Sequence, residues 1–219
     1  MINSLSAHLA MRARALTCVV CTTGSTTLAA TTAGFTRSAG SFVTDGFEPG
    51  MEVVPSGFAS SAARIVTAVS ASLLSTSAAP TVESASAGRT LLVGLPLLRG
   101  WENVTLSPVG GRPYLEEEWV PGTHSLVSFA ANGGTAEETG LYILRWFGLM
   151  NTGTNAMRRQ LNALMALFTP GSTVTAGSDV VRVRSDTAVY AGQLLPQGNG
   201  WVVGIVTIPW RAWSVNVVS

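Results

Sequence analysis

Ile2, Leu5, Leu9 and Leu16 recur at spacings of three, four and seven, the repeat of one face of an α-helix. With Ser4 available as an N-cap, they predict an amphipathic first helix over Ser4–Leu16 whose apolar stripe needs a partner. From Thr17 to about Gly94 that period is lost and Ser, Thr, Ala and Gly dominate, with many β-branched residues, so short strands and turns are expected. Within this stretch Ala63–Val69 and Ser72–Ser77 read as strands flanking a tight turn. Gly40, Gly46, Gly50 and Gly57 punctuate a path through Phe42, Phe47 and Phe58, which are expected to form a miniature core.

After Pro96 the segments lengthen and gain aromatics. Trp101–Leu106, Arg112–Val120, Gly140–Met150, Val180–Arg184, Ala188–Leu195 and Trp201–Val217 are strand candidates. Between the third and fourth lies the clearest helix, in which Thr154 can cap and Met157, Leu161, Leu164, Met165 and Phe168 make one face before Pro170-Gly171 ends it. The expected class is α+β: a mixed or antiparallel sheet with an N-terminal helix and one long central helix, plus an inserted small all-β domain. Residues 1–17 and 95–219 would form one discontinuous domain and 18–94 the insert.

Composition narrows the possible functions. Charged residues make up 11% of the 219-residue chain and apolar ones 47%, which leaves a lone monomer little charge to solvate its surface and points to burial between subunits. A net charge of +1 gives no electrostatic footprint for sequence-reading of nucleic acid. The apolar stretches Leu91–Leu98 and Trp201–Trp210 fall short of the roughly 20 residues of a spanning helix, so no membrane segment is expected. Arg12 and Arg14 ahead of Ala15–Cys21 imitate a signal peptide, but the apolar run is short and Thr-rich sequence follows, so the chain reads as cytoplasmic until assembled.

Few residues suggest chemistry. Cys18 and Cys21 form a CxxC, yet no further cysteine is present and the histidines are His8 and His124, so two buried small apolar residues are favoured over a metal or redox site. No metal or cofactor is expected. Glu116, Glu117 and Glu118 lie in a strand candidate, where alternation sends Glu117 to one face and its neighbours to the other; the favoured reading is a solvated strand edge, the sharper one a pore lining. Arg158 and Arg159 open the central helix, and Arg182 and Arg184 alternate so as to share a face; in a ring they could pair with acids of the next subunit. Gly110-Gly111 and Gly133-Gly134 read as turns rather than phosphate cradles.

The run Leu95-Pro-Leu-Leu-Arg-Gly-Trp101-Glu102-Asn103-Val104, then Ser107-Pro108, Gly111 and Pro113-Tyr114-Leu115-Glu116, resembles a stretch of phage minor tail proteins of the lambda-like tail terminator type. The resemblance continues through Gly140-Leu-Tyr142-Ile-Leu, through Leu167-Phe168-Thr-Pro-Gly171 after the helix, and through the apolar-aromatic finish from Gly200-Trp201 to Trp213. Gly40-Ser-Phe42-Val-Thr-Asp45-Gly46-Phe47 and Gly50-Met-Glu-Val resemble β modules of tail tube and other tail proteins. Family resemblance implies a non-enzymatic virion protein of the tail and neck, made in the host cytoplasm. It would form a six-membered homo-oligomeric ring on the finished tail tube, stop polymerisation and dock the head-tail connector or stopper protein. DNA would pass through the lumen without sequence-specific binding. Trp101, Tyr114, Trp146, Trp201 and Trp210 are then expected as packing anchors, and Glu116–Glu118 with the turn after Met150 as interface or lumen. One rival is a tail tube or tail completion subunit. A second, from another class, is a secreted carbohydrate-binding β protein, suggested by the Ser/Thr-rich middle and the scattered tryptophans.

Overall fold

The computed structural model of the chain describes residues 4–24, 26–100, 106, 111–128, 135–176, 179–197 and 200–215. The chain is mostly β, 50% strand and 15% helix, which corrects the expected α+β class. Helix α1 (Ser4–Leu16) leads into β1 (Val19–Thr22), β2 (Leu28–Thr31), β3 (Gly34–Arg37), the one-turn α2 (Phe42–Asp45), β4 (Glu52–Ser56), β5 (Arg64–Val69), β6 (Leu73–Thr76), β7 (Glu83–Ser86) and β8 (Thr90–Gly94). The second half runs β9 (Leu98–Gly100), β10 (Tyr114–Ser128), β11 (Thr135–Leu149), α3 (Asn155–Leu167), β12 (Thr173–Ala176), β13 (Asp179–Val183), β14 (Tyr190–Ala191), β15 (Leu195–Gln197) and β16 (Trp201–Val215).

The correction has a physical origin. Strands β10, β11 and β16 are 15 residues each, against a usual five or six or so. The expected long central helix, α3, has 13 residues, no more than α1. The extra strand length comes from the β10–β11 hairpin, in which His124, Ser125 and Ser128 pair with Glu138, Glu137 and Thr135. Pro121 to Ser125 are exposed there, so no in-out alternation marks the extension in the sequence. Cross-strand pairing sets the length, and periodicity within one strand cannot report it.

The smaller sheet has the order β1-β8-β4-β5-β6-β3-β2-β7, with antiparallel neighbours. Its tight β5–β6 turn is held by the Ser70 hydroxyl, which accepts the Leu73 amide at 3.0 Å. Phe42 and Phe47 are buried beneath it and Phe58 meets the buried Phe35 edge-on. Gly34 is required where β3 meets β6, since a Cβ there would lie 2.0 Å from the Leu74 carbonyl. The larger sheet has the order β12-β13-β16-β11-β10-β9, with β14 and β15 also paired to β16; β9 runs parallel to β10 and the other pairs are antiparallel.

Helices α1 and α3 lie on one face of the larger sheet, over Leu115, Trp119, Tyr142, Leu144, Trp146, Val206, Ile208 and Trp210. The helix α1 buries a different stripe from the expected one: Leu9 and Leu16 are 48% and 45% exposed, whereas Ala7, Ala10, Met11 and Ala15 are buried. Alanines at i, i+3 and i+8 let this helix approach the sheet closely around the buried Met11 at i+4, and dense core packing outweighs the larger transfer energy of leucine. Thr154 precedes α3 but makes no side-chain capping bond; its own backbone is helical (φ −90°, ψ −13°), which corrects its expected role. Gly148 and Gly204 open the sheet beneath α3, where added Cβ atoms would fall 2.5 Å from Met157 Cε and 2.4 Å from Leu161 Cδ1.

Each sheet has its own apolar cluster, and Val20 packs against both. Charged contacts also join them: Glu52 of β4 accepts Arg112 and, at 2.9 Å, the Leu97 amide, while Glu48 accepts Arg159 of α3 at 2.6 Å.

Candidate interface faces of the large sheet

The acids Glu116, Glu117 and Glu118 are split between two environments by strand alternation. Glu117 points into the core, only 4% exposed, which corrects the expected solvated edge. It accepts the Tyr142 hydroxyl at 2.9 Å and lies 3.9 Å from Arg12 Nε and 4.0 Å from His8 Nε2 of α1. His8 in turn stacks on Trp119 at 5.1 Å. A buried carboxylate thus ties the first helix to the sheet through charge and hydrogen bonding.

Burial pushes the Glu117 carboxyl above its ordinary value of 4.5, while the Tyr142 hydroxyl and then the Arg12 and Arg99 guanidiniums pull it back. The native state therefore binds more protons than the unfolded chain just above that value. The associated stability is fully present below pH 4.5 and is lost as pH rises through the raised folded value. Urea midpoints measured for wild type and Glu117→Gln between about pH 4 and pH 8 should show the wild type's relative advantage shrinking with pH. An advantage that grew with pH would mean that the arginines outweigh burial.

Among the described residues the opposite face of the sheet carries no helix. Alternation places Glu137, Thr139, Leu141, Ile143, Arg145, Phe147 and Leu149 of β11 on it. Register then sets Leu141 between Val120 and Pro209, Ile143 between Glu118 and Thr207, and Arg145 between Glu116 and Ile205. At one end Tyr114 stacks on Phe147 at 4.2 Å and meets Trp201 edge-on. Leu141, Val180, Tyr190 and Leu195 on this face are 37%, 42%, 53% and 43% exposed, a concentration of exposed apolar side chains of the kind that marks an interaction surface.

Its charges balance. Glu118 is ion-paired with Arg145, which also stands directly opposite Glu116. At the other end Arg182 and Arg211 are direct cross-strand neighbours, both lying over the Trp213 ring at 5.6 and 4.9 Å, with Glu137 3.9 Å from Arg211. Arg184 follows β13, donates its backbone N–H to the Pro209 carbonyl at 2.9 Å and is ion-paired with Asp186. Arg159 is committed to Glu48. Arg158 is exposed on α3 beside an open cleft with Thr154, Leu161, Asn162 and Leu194.

Among the tryptophans and tyrosine expected as anchors, Trp146 and Trp210 are core residues, whereas Tyr114 and Trp201 belong to the outer face; Trp101 lies outside the described residues. Cys18 and Cys21 are buried free thiols, pushed up to about 11 and about 12 chiefly by burial. Among the described residues no group of three or more His, Cys, Asp or Glu is placed to hold a metal. Sequence reasoning missed Leu141, Tyr190, Arg211 and Trp213. The available signal was the unbroken apolar run Leu141–Leu144, which gives both faces of one strand apolar side chains.

No curated protein matches the chain. One solved structure shares 21% identity with the chain and covers 57% of it and 82% of its own length, with a TM-score of 0.42. A family model described as phage tail terminator protein matches residues 75–210, more than half of the sequence and nearly all of the larger sheet. That match identifies the mostly β chain: it belongs to the phage tail terminator protein family and is a structural component of a phage tail.

Proposed function

We propose that the protein is a ring subunit that caps the finished tail tube, stops its polymerisation and forms the docking surface for the head-tail connector. The family match over residues 75–210 is the observation that carries this reading. A closed ring satisfies each subunit's adhesive surface with its neighbour and removes the template for the next tube layer. Six copies, as the lambda-like terminators imply, leave a lumen through which DNA passes without being read.

Arg158 and Arg182 are the exposed arginines without an acidic partner among the described residues, and both are assigned to contacts between copies. Glu117 is interior and supplies no lumen lining, while Glu118, Arg159 and Arg184 are each ion-paired within the chain. Residues 18–94 are proposed as an insert that decorates the outside of the ring.

Purified protein should form single closed rings in negative-stain images, and a phage lacking it should make over-long tails without heads. Indefinite stacks would favour the tail tube reading instead. Rings should persist when Thr17–Gly94 is deleted and the ends are bridged; loss of all assembly would sink the insert proposal alone.

A further inference from the structure

We infer that Arg182, Arg211 and Trp213 form a receptor for a single carboxylate, the side chain of an Asp or Glu carried by a partner protein. The three lie together at one end of the outer face of the larger sheet. Arg182 of β13 and Arg211 of β16 are direct partners across an antiparallel pair. Both guanidiniums lie over the Trp213 ring, at 5.6 and 4.9 Å.

This placement is costly unless an anion joins it. Like charges directly opposite on neighbouring strands repel, and arginine cannot relieve the repulsion by giving up its proton. The chain itself does not compensate the pair. Arg211 Nε is shut off from solvent with no hydrogen-bond partner among the described residues, and a desolvated donor left unpaired costs free energy. The acid beside it, Glu137, stops 3.9 Å from Arg211 Nη1, beyond hydrogen-bond reach. Arg182 is exposed and has no acidic partner among the described residues.

The chemistry of the missing group follows from the charges and the shape. Two guanidiniums against the one Glu137 carboxylate leave a single positive charge, which one monoanion cancels. The indole holds both planar groups by their faces, which leaves their N–H edges for an acceptor; a carboxylate offers two oxygens, one for each arginine. A phosphate dianion is the poorer ligand, because Glu137 would repel its second charge. Duplex DNA is poorer still, since one net positive charge displaces few counterions. The surroundings are an open strand surface: Val180, two residues before Arg182 on the same face, is 42% exposed, and Thr173, paired with Arg182 from β12, is exposed too. A free small acid needs an enclosing cavity, whereas arginine and aromatic side chains on an open face suit a side chain delivered by another protein. The site stands without the ring; only the assignment of its carboxylate to a neighbouring copy rests on that reading.

Titration of the full chain, labelled with 15N, tests the site, because an Nε–H shut off from solvent gives a slowly exchanging resonance. The blocked peptide acetyl-Gly-Glu-Gly-amide should shift the Arg211 Nε–H signal saturably, with a Kd on the order of 10 mM, as charge-assisted hydrogen bonds imply. The matching Gln peptide should leave it in place. Arg182→Gln should weaken binding about tenfold, the loss of one charge-assisted hydrogen bond, while Arg158→Gln should bind as wild type does. Without peptide, Arg182→Gln should unfold at a higher urea concentration than wild type, since it removes a repulsion that only the ligand offsets. No saturable shift with the Glu peptide, a stronger response to inorganic phosphate or duplex DNA, or an Arg182→Gln chain less stable than wild type would each overturn the inference. Negative-stain images of the same variant locate the acid. Rings lost together with peptide binding put it on a neighbouring copy, and rings kept while peptide binding is lost put it on another tail protein; both support the site. A wild type that binds the peptide and never forms rings supports the site and overturns only the ring reading.

Discussion

Replacing Trp210 with alanine should lower the free energy of unfolding by about 3–5 kcal/mol, the range for deleting a buried aromatic ring. Trp210 is fully buried in β16 and stacks on Trp119 at 4.2 Å with the planes 14° apart. The loss therefore combines transfer energy, a cavity beneath α1 and an aromatic pair worth about 0.5–1.5 kcal/mol. Its indole Nε1 is buried without a hydrogen-bond partner among the described residues, so the ring acts through packing alone. Trp210→Phe should consequently cost much less, about 1–2 kcal/mol, because it keeps an aromatic ring and removes an unsatisfied donor. Urea unfolding of the three proteins decides this. A Trp210→Ala chain within about 1 kcal/mol of wild type would show that the site collapses freely.

Gly140→Ala should cost about 3 kcal/mol, at the upper end for overpacking a core. Gly140 stands directly opposite Trp210, and an added Cβ would lie 2.4 Å from the Val120 carbonyl oxygen and 2.6 Å from Trp210 Cζ2. The first is backbone in a paired strand and the second a ring locked by Trp119, so neither yields cheaply. Gly204→Ala is the contrast. Its Cβ would meet the flexible end of Leu161 at 2.4 Å, so a loss nearer 1 kcal/mol is expected. Gly140→Ala should also be milder in the Trp210→Phe background, since the two sites share the crowded space. Equal losses at Gly140 and Gly204 would sink this account, and thermal or urea unfolding measures both.

These glycines and tryptophans show how much the sequence disclosed. The Gly140-Leu-Tyr142 motif was legible as part of a family resemblance, but its physical reason, the indole face lying over residue 140, exists only once β11 and β16 pair. Likewise the first helix was bounded correctly at Ser4–Leu16 while its buried face was misread. Leucine spacing signalled a helix, yet a helix with two candidate stripes buries the one whose side chains fit the sheet. The triple glutamate was visible as alternating. That Glu117 is the buried one, held by Tyr142 and near Arg12 and His8, depends on a helix arriving from more than 100 residues away in sequence.

The sequence by itself determined the local terms: where helices start and stop, where Gly and Ser force turns, which stretches are extended, and the motifs that carry the family. Those follow from short-range sterics and periodicity. Tertiary structure alone decided the mostly β class, the full length of strands β10 and β11, the placement of Glu117 in the core and the charges gathered at the two ends of the opposite face. Each of these is fixed by pairing or packing between segments far apart in the chain, and residues within one segment carry no record of which partner will lie across from them.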